Sequence, residues 1–591
     1  MLQAAIGAEP NCAEAHHQLG NLLKSQGRYL AAVASLQEAA RLAPNEAAIH
    51  LNLGVACLEL PALDEAIACF QRALRLEPGR PEAHNILGHA LLAAGRCTEA
   101  IAALDSALRL RPGYAAAHDN LGRAYKAQGR TAEAIIQHRA ALAIKPDPNT
   151  HSNLLYSLNL LEGLSPAAVY LEHRQWAERH AGAASARAAF PEWDFSPGRR
   201  LRIGFVSPDF VHHAVSYFFA PVLAHLDRGQ FETFCYSNAL VPDEVTERFR
   251  GQAEHWRDIA RLGDAAAAEL IRGDRIDVLF DLAGHTARHR LLVFAARPAP
   301  VQVTWLGYPN TTGLAEVDYR LTDAVCDPAA RSEAWHSETL VRLPGGFSCY
   351  SPPADAPPVG PLPAAAAGHL TFGSCNNFAK VTPAMIGWWA AVLGDHPGSR
   401  LLLKSRGLAD AATAQRVREG FARAGVTGDR LSLDGQDRSV HDHLRLYHRI
   451  DVALDTFPYN GTTTTCEALW MGVPVVTRAG ETHAARVSAS FLTQVGCPEW
   501  IAESAEGYRT ICRRLGADLP RLAAIRAGLR ERFRRSPLAD GPGFVRRLET
   551  AVRSLWARRC GEVGTPAAAN PGVRIWPGMS ASELGATRAE R

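Results

Sequence analysis

The sequence carries no surplus of either charge: 63 Lys and Arg residues face 60 Asp and Glu across 591 residues, a formal net charge of +3. That balance predicts neither a nucleic-acid surface nor a membrane-hugging one, so partners have to be recognised at sites and not by bulk charge. None of the twelve cysteines belongs to a CxxC pair, and the closest two, Cys57 and Cys69, are still twelve residues apart. This spacing offers no zinc knuckle and no disulfide framework. No uninterrupted apolar run approaches the roughly 18 residues of a membrane span, and the opening MLQAAIGAEP is not a basic segment followed by an apolar one. A soluble chain in a reducing cytoplasm is the expectation.

The chain is too long for one core, and a prior of about 100–200 residues per domain predicts three or four domains. Prolines at 10, 44, 78, 112 and 146 are 34 residues apart, and glycines at 20, 54, 88 and 122 keep the same period. Segments such as PGRPEAHNILGHALLAAGRCTEAIAALDSALRLR recur between them. The pattern resembles the tetratricopeptide repeat, whose helix-turn-helix units stack because no unit buries its own apolar face. The array is assigned to residues 1–150, with its opening residues read as the second helix of a further copy. Asn52 and Asn120 stand two residues before their repeat glycines, where Gln18 and Ile86 stand in the other copies. They are either ordinary helix-surface polarity or rungs of an amide ladder that grips an extended peptide.

Residues 151–199 read as further helices and the linker FPEWDFSPGRR. Strand-like runs follow: LRIGFVS, FETFCYS, IDVLFDLAG, VQVTWLG and LVRLP, then, after a proline-rich break, LTFGSC, RLLLKS, DVALDT and PVVTRAG. Alternation with helical stretches predicts parallel sheets covered on both faces. Two doubly wound units are expected, at 200–355 and 356–557, with ligand in the cleft between them at the carboxyl ends of their strands. The composition of residues 558–591 is that of a disordered tail.

In the second unit, DTFPYNGTTTTCE carries four threonines from a strand-like run onto a helical one. A strand-to-helix turn of this kind exposes unpaired backbone N–H groups and adds hydroxyls, a cradle for an anion such as a diphosphate. The alternative is an N-cap with spare threonines. In FGSCNNFAKVTP, Lys380 stands three residues beyond Asn377, in a loop expected to open a helix at Thr382 and Pro383. A lysine there can meet phosphate as a compact point charge.

Together, the repeats, VSPDFVHHAVSYFF, DLAGHT, RPAPVQVTWLGYPNTTG, FGSCNNFAK, DTFPYNGTTTTCEALWMGVPVVT and HAARVSASFL resemble glycosyltransferase family 41. That family holds the protein O-GlcNAc transferases and the SPINDLY-type protein O-fucosyltransferases. The likeness runs from the repeats to about residue 557. It implies a GT-B architecture of two facing Rossmann-like domains and transfer of a sugar from a nucleotide diphosphate to serine or threonine of a protein, with inversion. By the same resemblance Lys380 contacts the diphosphate, the turn of Thr462, Thr463 and Thr464 holds its oxygens, and Glu467 takes the ribose hydroxyls. Asn377 is a further donor contact where animal members carry Gln, His443 lies near the base or uridine, and His213 is the active-site histidine.

The physical reading runs beside this. Negative charge develops on the leaving diphosphate, and fixed N–H dipoles with one lysine stabilise it without a metal. No Asp-x-Asp pair is present to hold a cation, and no cofactor is expected. His213 can accept the acceptor's proton; His212 is a rival, both histidines being structural is the alternative, and a phosphate oxygen could take the proton, leaving His213 to position the peptide. His285 is a second candidate, for acceptor contact or for organising His213, whereas Trp305, Tyr308 and Pro309 are read as domain wall. Animal O-GlcNAc transferases have a small cysteine where this chain has Tyr459, near the N-acetyl pocket. UDP-GlcNAc leads as donor, with GDP-fucose or a UDP-hexose as rivals. A peptide-binding scaffold with a degenerate transferase half is the reading from a different class.

Overall fold

The computed structural model describes residues 6–60, 62–182, 190–436 and 438–564. Among the described residues, eight helices from Ala13–Ser25 to Thr131–Ile144 pack as successive hairpins around a shared apolar core. The 34-residue glycine period has a steric cause. A Cβ on Gly20, Gly54, Gly88 or Gly122 would lie 2.5–2.6 Å from the side chain sixteen residues on: Leu36, Phe70, Leu104 and His138 respectively. Each glycine lets the second helix of its hairpin close onto the first. A second periodic device is a ring-to-backbone bond. His16, His50, His84 and His118 each hydrogen-bond through Nε2 to the carbonyl of the repeat proline six residues earlier, at 2.9–3.0 Å. The hairpin joints are thereby tied to the helices that follow them.

Two further helices, Pro148–Leu158 and Pro166–His180, continue the solenoid. Asp147 and Ser165 cap them by accepting from Thr150 N and Ala168 N. They seat the array on the first α/β lobe, where the Asn159 amide donates to the Tyr308 hydroxyl at 2.7 Å and His173 Nε2 shares that hydroxyl at 2.8 Å. The array also grips the second lobe. Asp410, which caps the helix Ala411–Arg423, accepts from Thr98 N and Thr98 Oγ1, both at 2.9 Å.

The first lobe is a parallel sheet of β1 (Leu201–Ser207), β2 (Phe231–Ser237), β3 (His255–Asp258), β4 (Val278–Asp281), β5 (Val301–Thr304), β6 (Tyr319–Thr322) and β7 (Thr339–Arg342). The second holds β8 (Thr371–Ser374), β9 (Arg400–Lys404), β10 (Leu431–Asp434), β11 (Val452–Leu454), β12 (Val475–Arg478) and β13 (Ile501–Ala502). Their orders are β3-β2-β1-β4-β5-β6-β7 and β10-β9-β8-β11-β12-β13. Both are therefore doubly wound, with the order reversing between β1 and β4 and between β8 and β11, where such sheets bind ligands. LRIGFVS and FETFCYS match β1 and β2 residue for residue. The pattern misses β3, β6, β10 and β13, because HWRD, YRLT, LSLD and IA are too short and too polar to show a strand period.

The closing helix, Gly541–Gly564, departs from the expected grouping with the second lobe. It crosses back to the first, where Trp556 stacks on Phe195 at 5.5 Å, Phe544 on Trp305 at 5.9 Å, and Arg553 donates to the Arg199 carbonyl at 2.6 Å. Residues 558–564, expected in the tail, belong to this helix. The rest of that tail and the first five residues lie outside the described residues.

Overpacking a closed hairpin costs about 1–3 kcal/mol. Gly54→Val, which drives a side chain into the fully buried Phe70 ring, is expected to lower the melting temperature, whereas Gly79→Ala, with open space around it, leaves it unchanged. Equal melting temperatures for both variants in a thermal scan would contradict the steric account.

Candidate functional site

The carboxyl ends of both sheets face a shared cavity of about 290 Å³ between the lobes. Lys380, Asn377, Thr462, Thr463, Thr464 and Tyr459 reach it from the second lobe and His213 from the first. The lysine and the threonine turn thus share one crevice.

The threonine turn leaves β11 and becomes the helix Thr463–Trp470. Thr462 occupies the cap position but makes no side-chain cap bond, so the spare-threonine alternative does not describe it. Thr464 Oγ1 donates to Asn376 Oδ1 at 2.9 Å, Thr465 Oγ1 pairs with Ser488 Oγ at 2.8 Å, and Thr463 Oγ1 is enclosed without a partner. The turn is tightened from beneath by buried Asp455, which accepts from Gly461 N at 2.6 Å and Thr477 Oγ1 at 2.6 Å. A Cβ on Gly461 would lie 2.6 Å from Thr465 Oγ1 and 2.7 Å from Thr464 Oγ1, so this approach admits glycine alone. Unpartnered first-turn N–H groups, the helix dipole and an idle hydroxyl make the helix start a receptor for anionic oxygen.

Lys380 closes the short turn Phe378–Lys380 after β8. Its Nζ donates to the Asn460 carbonyl at 2.8 Å and sits 4.1 Å over the Tyr459 ring. Among the described residues no carboxylate lies within ion-pair distance of it. Burial lowers its pKa from the usual 10.5 to about 8, with Asp455 opposing the shift. Asn377 commits its Oδ1 to Ala379 N at 3.0 Å, leaving its amide NH2 for the cavity. Thr382 caps the helix Pro383–Asp395, as its sequence position predicts.

Glu467 and His443 do not line this cavity. They pair one turn along the threonine helix, His443 Nε2 to Glu467 Oε2 at 3.0 Å, with the Tyr447 hydroxyl donating to the same oxygen at 3.3 Å. The carboxylate is 8 % exposed, and His443 Nδ1 is enclosed without a partner.

His213 caps the helix Ala214–His225, its Nδ1 accepting from Val215 N at 3.3 Å and lying 3.6 Å from Asp209. With Nδ1 as acceptor, the ring proton sits on Nε2. His212 turns away instead, its backbone held by Asp243 and its ring 3.1 Å from the Tyr217 hydroxyl. His285 lies behind the wall with both nitrogens engaged, Nδ1 by Ser152 Oγ at 2.9 Å and Nε2 by the Thr312 carbonyl at 2.8 Å. Burial, with the nearby His173 and His289, pushes its pKa well down, so it is a neutral strut. Trp305 and Tyr308 are wall residues, as read from sequence, whereas Pro309 borders the cavity. In the array, Asn52 bonds His17 and Lys24, and Asn120 bonds Asn85 and Arg123, so both are tied to neighbouring repeat side chains.

Among the polar cavity residues, Tyr156, Thr286, Arg320, Asn376 and His483 went unremarked in the sequence. Arg320 sits in the unrecognised β6, and Tyr156 comes from the solenoid. Asn376 and His483 stand inside quoted motifs, FGSCNN and HAARVSASFL, where no spacing rule marks them.

The glycosyl transferase family 41 model matches residues 134–349 and 362–548, and tetratricopeptide repeat models match 17–81 and 80–147. The probable UDP-N-acetylglucosamine--peptide N-acetylglucosaminyltransferase SPINDLY of Oryza sativa subsp. japonica is 42% identical over 418 residues, 70% of this chain and 45% of that protein. The Arabidopsis thaliana protein named SEC is 32% identical over 387 residues, covering 61% of this chain and 38% of its own length. The chain thus spans about half the length, or less, of these curated relatives. A solved O-GlcNAc transferase variant from Thermobaculum terrenum superposes with a TM-score of 0.83 at 37% identity, covering 88% of this chain and 98% of that one. Two doubly wound sheets facing across a cleft, a tetratricopeptide array, and matches over both lobes lead to one conclusion: the chain belongs to glycosyl transferase family 41.

Proposed function

We propose that this chain is an inverting glycosyltransferase that moves N-acetylglucosamine from UDP-GlcNAc to serine or threonine hydroxyls of proteins. One observation carries the reading: a partly buried lysine without a carboxylate partner shares a cavity with an idle helix start and with a histidine from the opposite lobe. Breaking an anomeric carbon–diphosphate bond puts charge on the leaving oxygens, which is where Lys380 Nζ and the Thr463 and Thr464 N–H groups would act. That charge stabilisation asks for no resident metal. Glu467, on the next turn, would take the ribose hydroxyls and His443 would hold it. His213 would direct its Nε2–H at the acceptor and so position it.

The acceptor reading gains support from a second cavity of about 490 Å³, lined by Asp119, Arg123 and Asn153 of the solenoid and by Arg288 of the first lobe. Thr286 borders both cavities, so a polypeptide along the inner face of the repeats would have a route to the transfer site. All twelve cysteines are free thiols, which suits the reducing cytoplasm proposed for it.

A second reading of the donor rests on Tyr459, which with Tyr156, 6.0 Å away between ring centres, fills the cavity wall with aromatic bulk. An N-acetyl group is the part of a donor most crowded there, which favours GDP-fucose or a UDP-hexose. Free-nucleotide release from UDP-GlcNAc, UDP-glucose and GDP-fucose, each offered alone, decides between them. Release from none of the three, with no melting shift from UDP or GDP, would leave a binding scaffold.

The lysine gives the nucleotide a pH signature. Diphosphate favours the ammonium and raises its pKa on binding, so UDP affinity is full below about pH 8 and falls as pH rises past the free-state value of about 8, by up to tenfold per unit. Titration calorimetry from pH 7 to 9.5 should show this slope, and Lys380→Met should weaken binding and flatten it; a flat wild-type profile would exclude contact with Lys380. His213→Ala should remove most turnover, about 10²-fold or more, while leaving the UDP-induced melting shift intact. Near-normal turnover would take His213 out of the site's work.

A further inference from the structure

We infer that His483, held by Asp327, is the proton acceptor of the transfer cavity. The inference rests on the proposed transfer function and names a residue to which that function has so far assigned no role. His483 begins the segment after β12, in the second lobe, and its ring borders the cavity that holds Lys380 and Thr463. The ring is 5 % exposed, packed edge-on against Phe347 at 5.1 Å. Its Nδ1 is 2.7 Å from Asp327 Oδ2, a carboxylate of the first lobe. Burial by itself would raise Asp327, but its pairing with His483, with His336 and Arg320 nearby, more than reverses this and holds it well below the usual carboxylate range. An ionised carboxylate only accepts, so the bond places the proton on Nδ1 and leaves the lone pair on Nε2. Nε2 makes no hydrogen bond among the described residues, and it is not among the enclosed polar atoms.

The two cavity histidines therefore present opposite faces. His213 takes a backbone N–H on Nδ1 and offers Nε2–H, a donor; His483 gives Nδ1–H to Asp327 and offers an Nε2 lone pair, an acceptor. A carboxylate that fixes the tautomer and steadies the imidazolium is the arrangement a general base requires. Its location suits the step as well. Asn460, whose carbonyl receives Lys380 Nζ, also donates its own N–H to the Ala484 carbonyl, so the residue next to His483 is tied to the lysine's anchor.

In the step, the acceptor's O–H proton passes to His483 Nε2 while an oxygen lone pair forms the bond to the anomeric carbon. The bond from that carbon to the diphosphate oxygen breaks, and its electron pair stays on the diphosphate. The imidazolium then returns its proton to solvent. Groups facing the ring that bear on its charge are Asp327 with His336 and Arg320 behind it, Arg486 on its own segment, and Lys380 and His213 across the cavity.

The test compares full-length wild type, His483→Gln, Asp327→Asn and His213→Gln for transfer from the donor that wild type uses, with UDP thermal shift as the fold and nucleotide-site control. Wild-type transfer has first to be observed, and its absence would count against the function and not against this residue. His483→Gln is expected to lower kcat by about 10²–10⁴-fold with the UDP shift retained, and the wild-type loss of kcat/KM towards acid pH should vanish from the residual rate. Asp327→Asn is expected to move that acid limb to lower pH, because the imidazolium loses its counter-charge, and His213→Gln to leave the limb in place. A His483→Gln rate within threefold of wild type, a loss that comes only with loss of the UDP shift, or an acid limb unmoved in Asp327→Asn would each overturn the assignment.

Discussion

An ammonium group drawn partly out of water without a carboxylate beside it is a costly thing for a protein to keep, and the region around Lys380 is organised by that cost. An aromatic face and one backbone carbonyl supply the partial negative charge it meets. Neither neutralises it. The same cavity is lined by a helix start whose Thr463 hydroxyl is likewise unsatisfied. Two electropositive features that would repel or waste each other in a resting protein become complementary once a doubly charged anion lies between them.

That arrangement depends on the lobes holding station, and the seam between them is built from first-lobe carboxylate and carbonyl oxygens meeting second-lobe partners. Asp323 Oδ2 accepts from Ser490 Oγ at 2.6 Å, Asp327 pairs with His483, and Arg486 Nε donates to the Val325 carbonyl at 2.6 Å. The residues that align the lobes thus include one that also borders the cavity. Orientation of the halves and orientation of a reactive side chain are set by the same contact.

Much of this was legible in the sequence, for physical reasons. A glycine required by a neighbour's side chain at 2.5 Å cannot drift, so the solenoid advertises its period. Strands buried on both faces are dense in apolar residues, so β1, β2 and the runs around β4, β8 and β11 stood out. The polar strands β3, β6 and β10 and the two-residue β13 escaped because hydrogen bonding from neighbours, not their own side chains, defines them. The Lys380 loop and threonine turn declared themselves by residue type at strand ends. His483 did not: a histidine in an alanine-rich helix start looks ordinary until its partner, 156 residues earlier in the chain, is beside it. Tyr156 was hidden for the same reason, since a solenoid residue bordering a cavity between two other domains is a fact of docking alone.

The docking of the solenoid has a mechanical corollary. Through Asn159 and His173 it is bolted to one lobe and through Thr98 to Asp410 of the other, while the closing helix returns to the lobe where the sheet began. A bracket fixed on both sides of a hinge resists the hinge. Any widening of the cleft that admits a bulky polypeptide must flex the superhelix or slip one of its anchors. Opening of the cleft and flexing of the repeat array are therefore mechanically coupled in this molecule.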